Sequence, residues 1–238
     1  MNAETTNGEN PGLTETWPWI PWVGPFALYM LLTTLEPSLS RYVAYQTLYA
    51  VKLIAVAGLI ARFWPRYRPV SFEGIRLATI AGTVGFAVWI VLVKAQAMIP
   101  GFNGMIESML GKRTGFNPFP NEVHSLAEMA FVGIRLLGLI VIVPIMEEVF
   151  WRGFLARFLI ADDFRKVPVG HFSTFSFCFV TLAFVSVHPE ILAALCWGAM
   201  INALCFRTRN LWACVGMHAT TNAWLGAYIL VTGNWSLW

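Results

Sequence analysis

The chain has 238 residues, of which 57% are hydrophobic and only 12% carry a formal charge. Soluble domains carry about 25% charged residues, so this composition excludes an ordinary soluble protein and indicates an integral membrane protein. The formal net charge is only +3, and no basic patch is interleaved with aromatic residues, so we expect no nucleic acid as a partner.

The chain begins with a polar segment that is unlike the rest of the sequence. Its first 16 residues lack the basic start and the small-residue cleavage site of a secretory signal. We predict a disordered tail over residues 1–16 and a single membrane-embedded domain over residues 17–238. Because a membrane-spanning helix needs about 20 residues, that domain has room for about seven or eight spans.

Apolar stretches that could cross a membrane follow the tail. They lie at about residues 18–35, 42–63, 77–99, 126–146, 172–188, 190–206 and 211–232, and the fourth extends as a helix to about residue 160. The connection over residues 100–125 is predicted as an ordinary loop, with a short interfacial helix as the alternative. The pattern predicts an all-α fold: a polytopic transmembrane helical bundle of about 7–8 spans with an intramembrane polar cavity.

Basic residues of the loops indicate the orientation in the membrane. Alternating the spans puts most of them on one side: Arg62, Arg66, Arg68, Arg76, Arg157, Arg165, Lys166, Arg207 and Arg209. Since basic loops stay in the cytoplasm, we predict a cytoplasmic N-terminus in the cell (inner) membrane. The compact chain with short loops is typical of a bacterial protein.

The first polar insertion in the apolar segments contains two adjacent carboxylates. Glu148 and Arg152 are four residues apart and share a helix face, in the order that favours an ion pair. Glu147 is rotated by about 100° from Glu148 and has no partner in its own segment, so it is the carboxylate available to deprotonate water. The alternative is a helix-packing ion pair with a spare carboxylate that reaches solvent.

Two later insertions supply histidines and an amide. His188 precedes Pro189, which disfavours helix at that position and predicts that the imidazole lies at a helix end. His218 and Asn222 are four residues apart in the last span, and both can donate hydrogen bonds to an oxyanion. The alternatives are a structural histidine and polar contacts between helices.

Water activated by Glu147 and His188 is the simplest chemistry for these residues, and it needs no cofactor. A zinc site with Glu147, His188 and His218 as ligands is the alternative, because histidine and carboxylate both bind zinc. The sequence has neither a His-Glu-x-x-His nor a Gly-x-Ser-x-Gly motif. Structural roles are predicted for the other polar residues of the spans, Lys52, Lys94, Gln96, Arg135 and Asn202, with both lysines snorkelling to the interface.

In combination, the three insertions resemble the CPBP family of intramembrane proteases, which includes the type II CAAX prenyl endopeptidases and the Abi proteins. The Glu-Glu-x-x-x-Arg motif matches Glu147, Glu148 and Arg152, the Phe-x-x-x-His motif matches Phe184 and His188, and the His-x-x-x-Asn motif matches His218 and Asn222. The resemblance covers roughly residues 130–225, whereas the first half of the chain matches only as generic membrane helices.

The resemblance implies a role for each motif residue. Glu147 and His188 would activate the water, His218 and Asn222 would stabilise the oxyanion, and the pair Glu148 and Arg152 would support the site. The implied activity is that of a glutamate-type endopeptidase that cleaves near the C-terminus of a membrane-associated protein or peptide. The tryptophan-rich start is similar to that of bacterial members associated with exosortase sorting systems.

Two other functions are compatible with the same residues. A non-catalytic membrane scaffold, or a peptide-binding protein of the bacteriocin-immunity type, would use the cavity without hydrolysis. A proton-coupled transporter could also use intramembrane Glu, Arg and His side chains, although no inverted repeat is visible.

The predicted spans contain one conflict. A full span over residues 172–188 would carry His188 to the outer side of the membrane, whereas His218 follows the basic turn at Arg207 and Arg209 by only about two helical turns. The two histidines can meet only if the helix before His188 is short or strongly tilted.

Overall fold

The computed structural model describes residues 13–110, 115–121 and 125–238. In these ranges every regular element is helical and no strand occurs, which confirms the predicted all-α bundle. Residues 1–12 of the predicted disordered tail lie outside the described residues, and its last four residues form the short helix α1 (Leu13–Thr16).

Each predicted span coincides with a helix of the structure. In chain order the helices are α2 (Ile20–Leu39), α3 (Tyr45–Phe63), α4 (Ile75–Ala97), α5 (Phe102–Leu110), α6 (Leu126–Phe158), α7 (Thr174–Val185), α8 (Ile191–Thr208) and α9 (Leu211–Thr232). Helices α1 and α5 lie outside the predicted spans, and α5 shows that the prediction of an ordinary loop over residues 100–125 was wrong for its first part.

Four helical segments of the described chain are long and apolar enough to cross a membrane. They are Tyr45–Arg66, Ile75–Ala97, Leu126–Phe158 and Ile191–Thr208. Helix α7 is apolar but has only 12 residues. The protein is therefore a multi-pass membrane protein, in which helices α2, α7 and α9 complete the bundle around these four segments.

Helix α6 is interrupted by two π-helical turns, Gly138–Ile142 and Val149–Leu155. In the first, the backbone N–H of Val143 bonds to the carbonyl of Gly138, five residues earlier, rather than to Leu139. The next residue, Pro144, has no N–H to donate. The carbonyl of Leu139 is thus left without the donor that either an α-turn or a π-turn would supply.

The bundle packs most closely where α4 meets α8 and α9. Gly82 of α4 makes this approach possible, because a Cβ atom at that position would lie 2.6 Å from the carbonyl oxygen of Met217 in α9. Small residues at such crossings let membrane helices come into van der Waals contact. Phe184, Trp197 and Met217 are almost fully buried in the adjoining core.

A two-residue turn joins α8 to α9 and fixes where α9 begins. Arg209 adopts a left-handed conformation with φ of 50°. Asn210 then caps α9 by accepting a hydrogen bond from the Trp212 backbone N–H at 3.0 Å. Its amide nitrogen donates to the carbonyls of Ser71 and Glu73 before α4, at 3.1 and 2.8 Å. The turn therefore anchors α9 to the start of α4.

The short helix α7 removes the conflict between the two histidines. Twelve residues rise by only about 18 Å, far less than the roughly 30 Å hydrocarbon core of a bilayer. Helix α7 ends at Val185, so His188 follows it inside the bundle instead of emerging on the far side.

Candidate active site

A cavity of about 290 Å³ lies between the helices, and the four residues predicted to be catalytic all line it. They are Glu147 on α6, His188 after α7, and His218 and Asn222 on α9. The two residues predicted to support the site, Glu148 and Arg152, do not line the cavity and are at most 1% exposed. The structure thus brings all six together but gives two of them no access to a bound peptide.

The Glu147 carboxylate faces the cavity as the helix geometry predicts. One of its oxygens, Oε2, is buried and has no hydrogen-bond partner among the described residues. A buried carboxylate oxygen without a protein donor is a position that water or substrate can occupy. Glu147 is therefore the carboxylate that can reach a reactant in this cavity.

Glu148, one residue later, is held by a buried network that links three helices. The Nη1 atom of Arg152 lies 3.2 and 3.1 Å from the two oxygens of Glu148. The Nε atom of Arg152 donates to Asn202 of α8 at 3.0 Å, and Asn202 in turn donates to Thr181 of α7 at 2.9 Å. Because the last two links join different helices, the network fixes α6 against α8 and α8 against α7.

His218 also bonds to Glu148, a contact that the spacing within α9 does not reveal. Its Nδ1 lies 2.8 Å from Glu148 Oε1, and the edge of Trp197 packs against its ring with centroids 4.8 Å apart. A carboxylate on one ring nitrogen sets the orientation of an imidazole. Nε2 is therefore the ring nitrogen of His218 that Glu148 does not use.

His188 is oriented by the last turn of α7. Its Nδ1 lies 2.8 Å from the carbonyl oxygen of Phe184, and its ring stacks on the Phe184 ring at 4.2 Å. A carbonyl oxygen only accepts hydrogen bonds, so Nδ1 carries the proton and Nε2 is the basic nitrogen of the neutral ring. The Phe-x-x-x-His spacing thus supplies both the hydrogen-bond acceptor and the stacking partner of His188.

Asn222 takes up the carbonyl that the π-helical turn leaves unpaired. Its amide nitrogen donates to the Leu139 oxygen at 2.8 Å. An amide nitrogen carries two hydrogens, so one is used to hold Asn222 against α6 and the other remains for a group in the cavity. Pro144 therefore contributes to the site indirectly, because its missing N–H leaves the acceptor for Asn222.

A metal site requires several ligand side chains that lie close together. Among the described residues, no three His, Cys, Asp or Glu side chains are grouped closely enough to hold a metal ion. In this arrangement Glu147, His188 and His218 border one cavity without forming such a group. The four cysteines form no disulfide; Cys205 and Cys214 are buried, whereas Cys178 and Cys196 are exposed.

Four further charged residues line the cavity, and the sequence argument named none of them as site residues: Glu36, Lys52, Arg135 and Glu190. Lys52 does not snorkel as predicted: it is 3% exposed, and its Nζ lies 2.7 Å from Glu36 Oε1 of α2. Arg135 lines the cavity and donates to the Tyr45 hydroxyl of α3, while Glu128, two turns earlier, caps the start of α6 with Ser125. Contacts of Lys52 and Arg135 with residues of other helices are not visible in a single sequence.

Part of the chain matches a known protein family. Residues 129–224 match the family described as type II CAAX prenyl endopeptidase Rce1-like, and all six predicted site residues lie in that segment. No curated protein and no solved structure matches the chain significantly. The matched family is one of membrane proteases, and nothing in the comparisons supports the expected association with exosortase systems. The Rce1-like match therefore confirms the resemblance to the CPBP, CAAX-protease-like family that the three motifs indicated.

Proposed function

We propose that this protein is an intramembrane endopeptidase of the glutamate type, which hydrolyses a peptide bond near the C-terminus of a membrane-associated protein or peptide. The observation that carries the proposal is the convergence of Glu147, His188, His218 and Asn222 on one intramembrane cavity. These side chains come from three separate segments of the chain, and packing alone does not require all of them to border the same space. The family match supports the reaction class.

In the proposed reaction, a water molecule is held between Glu147 and the Nε2 atom of His188. Glu147 accepts a proton as the water oxygen attacks the peptide carbonyl carbon. The same carboxyl then returns that proton to the leaving amine as the C–N bond breaks. These steps use only the peptide and one water molecule. They require no metal ion and no nucleophilic serine or cysteine.

His218 and Asn222 stabilise the negative charge on the former carbonyl oxygen. Asn222 donates its second amide hydrogen, since the first is bonded to Leu139. For His218 to donate as well, both ring nitrogens must carry protons, with Nδ1 donating to Glu148 and Nε2 to the oxyanion. Removing one donor of this kind costs about 10² to 10³ in rate.

The decisive experiment compares cells that carry the wild type with cells that carry Glu147→Gln, at matched protein levels. Mass spectrometry lists the C-termini of all other membrane-associated proteins in both. We expect shortened C-termini in the wild type that are absent from the variant, because Gln keeps the size of Glu but cannot accept the proton. Glu107→Gln, on an exposed carboxylate of α5, serves as the matched control and retains the shortened termini.

Identical C-termini in wild type and Glu147→Gln would reject hydrolysis. If the biological phenotype also persisted in Glu147→Gln, the result would favour the alternative of a peptide-binding scaffold that uses the same cavity.

A further inference from the structure

Along α6, the end of the cavity at Arg135 lies about three helical turns from Glu147. Glu36 and Lys52 also line the cavity. Glu36 and Lys52 neutralise each other at 2.7 Å. Arg135 is 9% exposed, and no carboxylate of the described residues forms an ion pair with it. This end therefore contains one buried positive charge without a counter-charge from the described chain.

The surroundings of Arg135 hold its side chain without neutralising it. One nitrogen donates to the Tyr45 hydroxyl. The Tyr45, Tyr49 and Trp238 ring centroids lie 5.5, 5.1 and 5.1 Å from the guanidinium carbon. Aromatic faces attract a cation but leave its hydrogen-bond donors unused. A guanidinium has five N–H donors, so this group retains the capacity to bind an anion.

Arg135 and Glu147 lie on one continuous strip of α6. Every fourth residue between them lines the cavity: Arg135, Leu139, Val143 and Glu147. In a regular α-helix, four residues turn through about 400°, so side chains four positions apart point about 40° away from each other. Over the three steps from Arg135 to Glu147, this difference would add up to about 120°. The π-helical turn Gly138–Ile142 lies between them and has more residues per turn, which offsets this difference.

We propose that Arg135 binds the C-terminal carboxylate of the peptide substrate while the scissile bond lies at Glu147. This assignment rests on the proposed peptidase function and specifies its substrate class as peptides with a free α-carboxylate. A planar guanidinium pairs with a carboxylate through two parallel hydrogen bonds. The negative charge of Glu147 at the other end disfavours the reverse orientation of the peptide.

The helix also sets a length for the released fragment. Twelve residues separate Arg135 from Glu147, which corresponds to at most about 18 Å along the axis. An extended peptide covers that distance in about five residues. We therefore expect cleavage within about five residues of the C-terminus, and not in the interior of a long chain.

A binding experiment tests the anchor without requiring catalysis. The probes are a mixture of N-acetylated pentapeptides of random apolar sequence with free C-terminal carboxylates, and the same mixture with C-terminal amides. Purified Glu147→Gln protein in nanodiscs is incubated with both, and the retained peptides are quantified by mass spectrometry. We expect the acids to be retained about tenfold or more over the amides, equivalent to one charge-assisted contact.

Variants at Arg135 make the result specific. Arg135→Gln on the same background should retain acids and amides equally, and Arg135→Lys should restore part of the preference because it keeps the charge. Arg62→Gln, at an exposed arginine outside the cavity, should leave the preference unchanged. Equal retention of acids and amides by the parent protein, or retention of neither, would overturn the anchor.

A lipid phosphate is the other anion that could occupy this end. Nanodiscs of phosphatidylcholine alone are therefore compared with nanodiscs that contain phosphatidylglycerol. If phosphatidylglycerol abolishes acid retention in a manner that depends on Arg135, the site binds a lipid headgroup and the anchor is wrong. None of these results affects the experiment that compares protein C-termini in cells with the wild type or Glu147→Gln. The carboxylate anchor can therefore be wrong while the proposed peptidase activity is right, and the two proposals are tested separately.

Discussion

At the scale of single residues, two adjacent glutamates have opposite environments. Glu147 borders the cavity, and its Oε2 has no hydrogen-bond partner among the described residues, whereas Glu148 is fully buried and contacts both Arg152 and His218. The two carboxylates are therefore expected to respond differently to the same substitution. Glu147→Gln should remove activity and leave the fold intact.

Glu148→Gln should instead destabilise the protein. The substitution leaves the Arg152 guanidinium, which is 1% exposed, without its counter-charge, and breaking a buried ion pair in this way costs about 3–5 kcal/mol. Thermal unfolding in detergent provides the measurement. The double variant Glu148→Gln/Arg152→Met should recover part of the lost stability, because it no longer buries an uncompensated cation. Equal unfolding temperatures for Glu147→Gln and Glu148→Gln would contradict this assignment.

Four of the six residues predicted from the sequence line one cavity in the structure, but the sequence did not predict all of their partners. Helical spacing predicts that Glu148 and Arg152 share a face and that Glu147 points elsewhere, since both follow from 3.6 residues per turn. The bond between His218 and Glu148 joins residues 70 positions apart, and no local period encodes such a contact. For the same reason Lys52 was expected to snorkel, although it is paired with Glu36 on a neighbouring helix.

At the scale of helices, α6 is the element whose irregularity shapes the site. Pro144 predicts a disturbed helix but does not specify a π-helical turn. The number of residues per turn depends on how α6 packs against α3 and α9, which the sequence alone does not show. The length of α7 was also mispredicted, because the apolar residues continue beyond Val185, where the helix ends.

Pro144→Ala tests whether this irregularity serves the site. The new backbone N–H would lie five residues after Leu139 and could donate to the carbonyl that Asn222 now occupies. We expect the protein to remain folded while its peptidase rate falls by about 10- to 100-fold, as small misplacements of catalytic groups do. Pro25→Ala, at a buried helix-interior proline of α2 outside the cavity, is the matched control. A Pro144→Ala enzyme with the wild-type rate would show that the Leu139–Asn222 bond is dispensable.

At the scale of the whole molecule, the arrangement of the spans gives a testable topology. The basic loops around Arg66 and Arg165 are predicted to be cytoplasmic, which places α5 on the opposite side. In a variant whose four cysteines are replaced by alanine, Ser108→Cys should react with an impermeant maleimide on intact cells. Glu73→Cys, in the loop before α4, should react only after permeabilisation. The reverse labelling pattern would invert the predicted orientation.

The π-helical turn Gly138–Ile142 accommodates an extra residue within an otherwise α-helical segment. If one residue were deleted there, eleven positions of a regular α-helix would join Arg135 to Glu147, and they would turn through about 1,100°, or three turns and 20°. Both side chains would therefore keep the same helix face, and α6 would become shorter by about 1.5 Å. The turn thus marks a position where a single-codon deletion can change the length of α6 without changing which residues line the cavity.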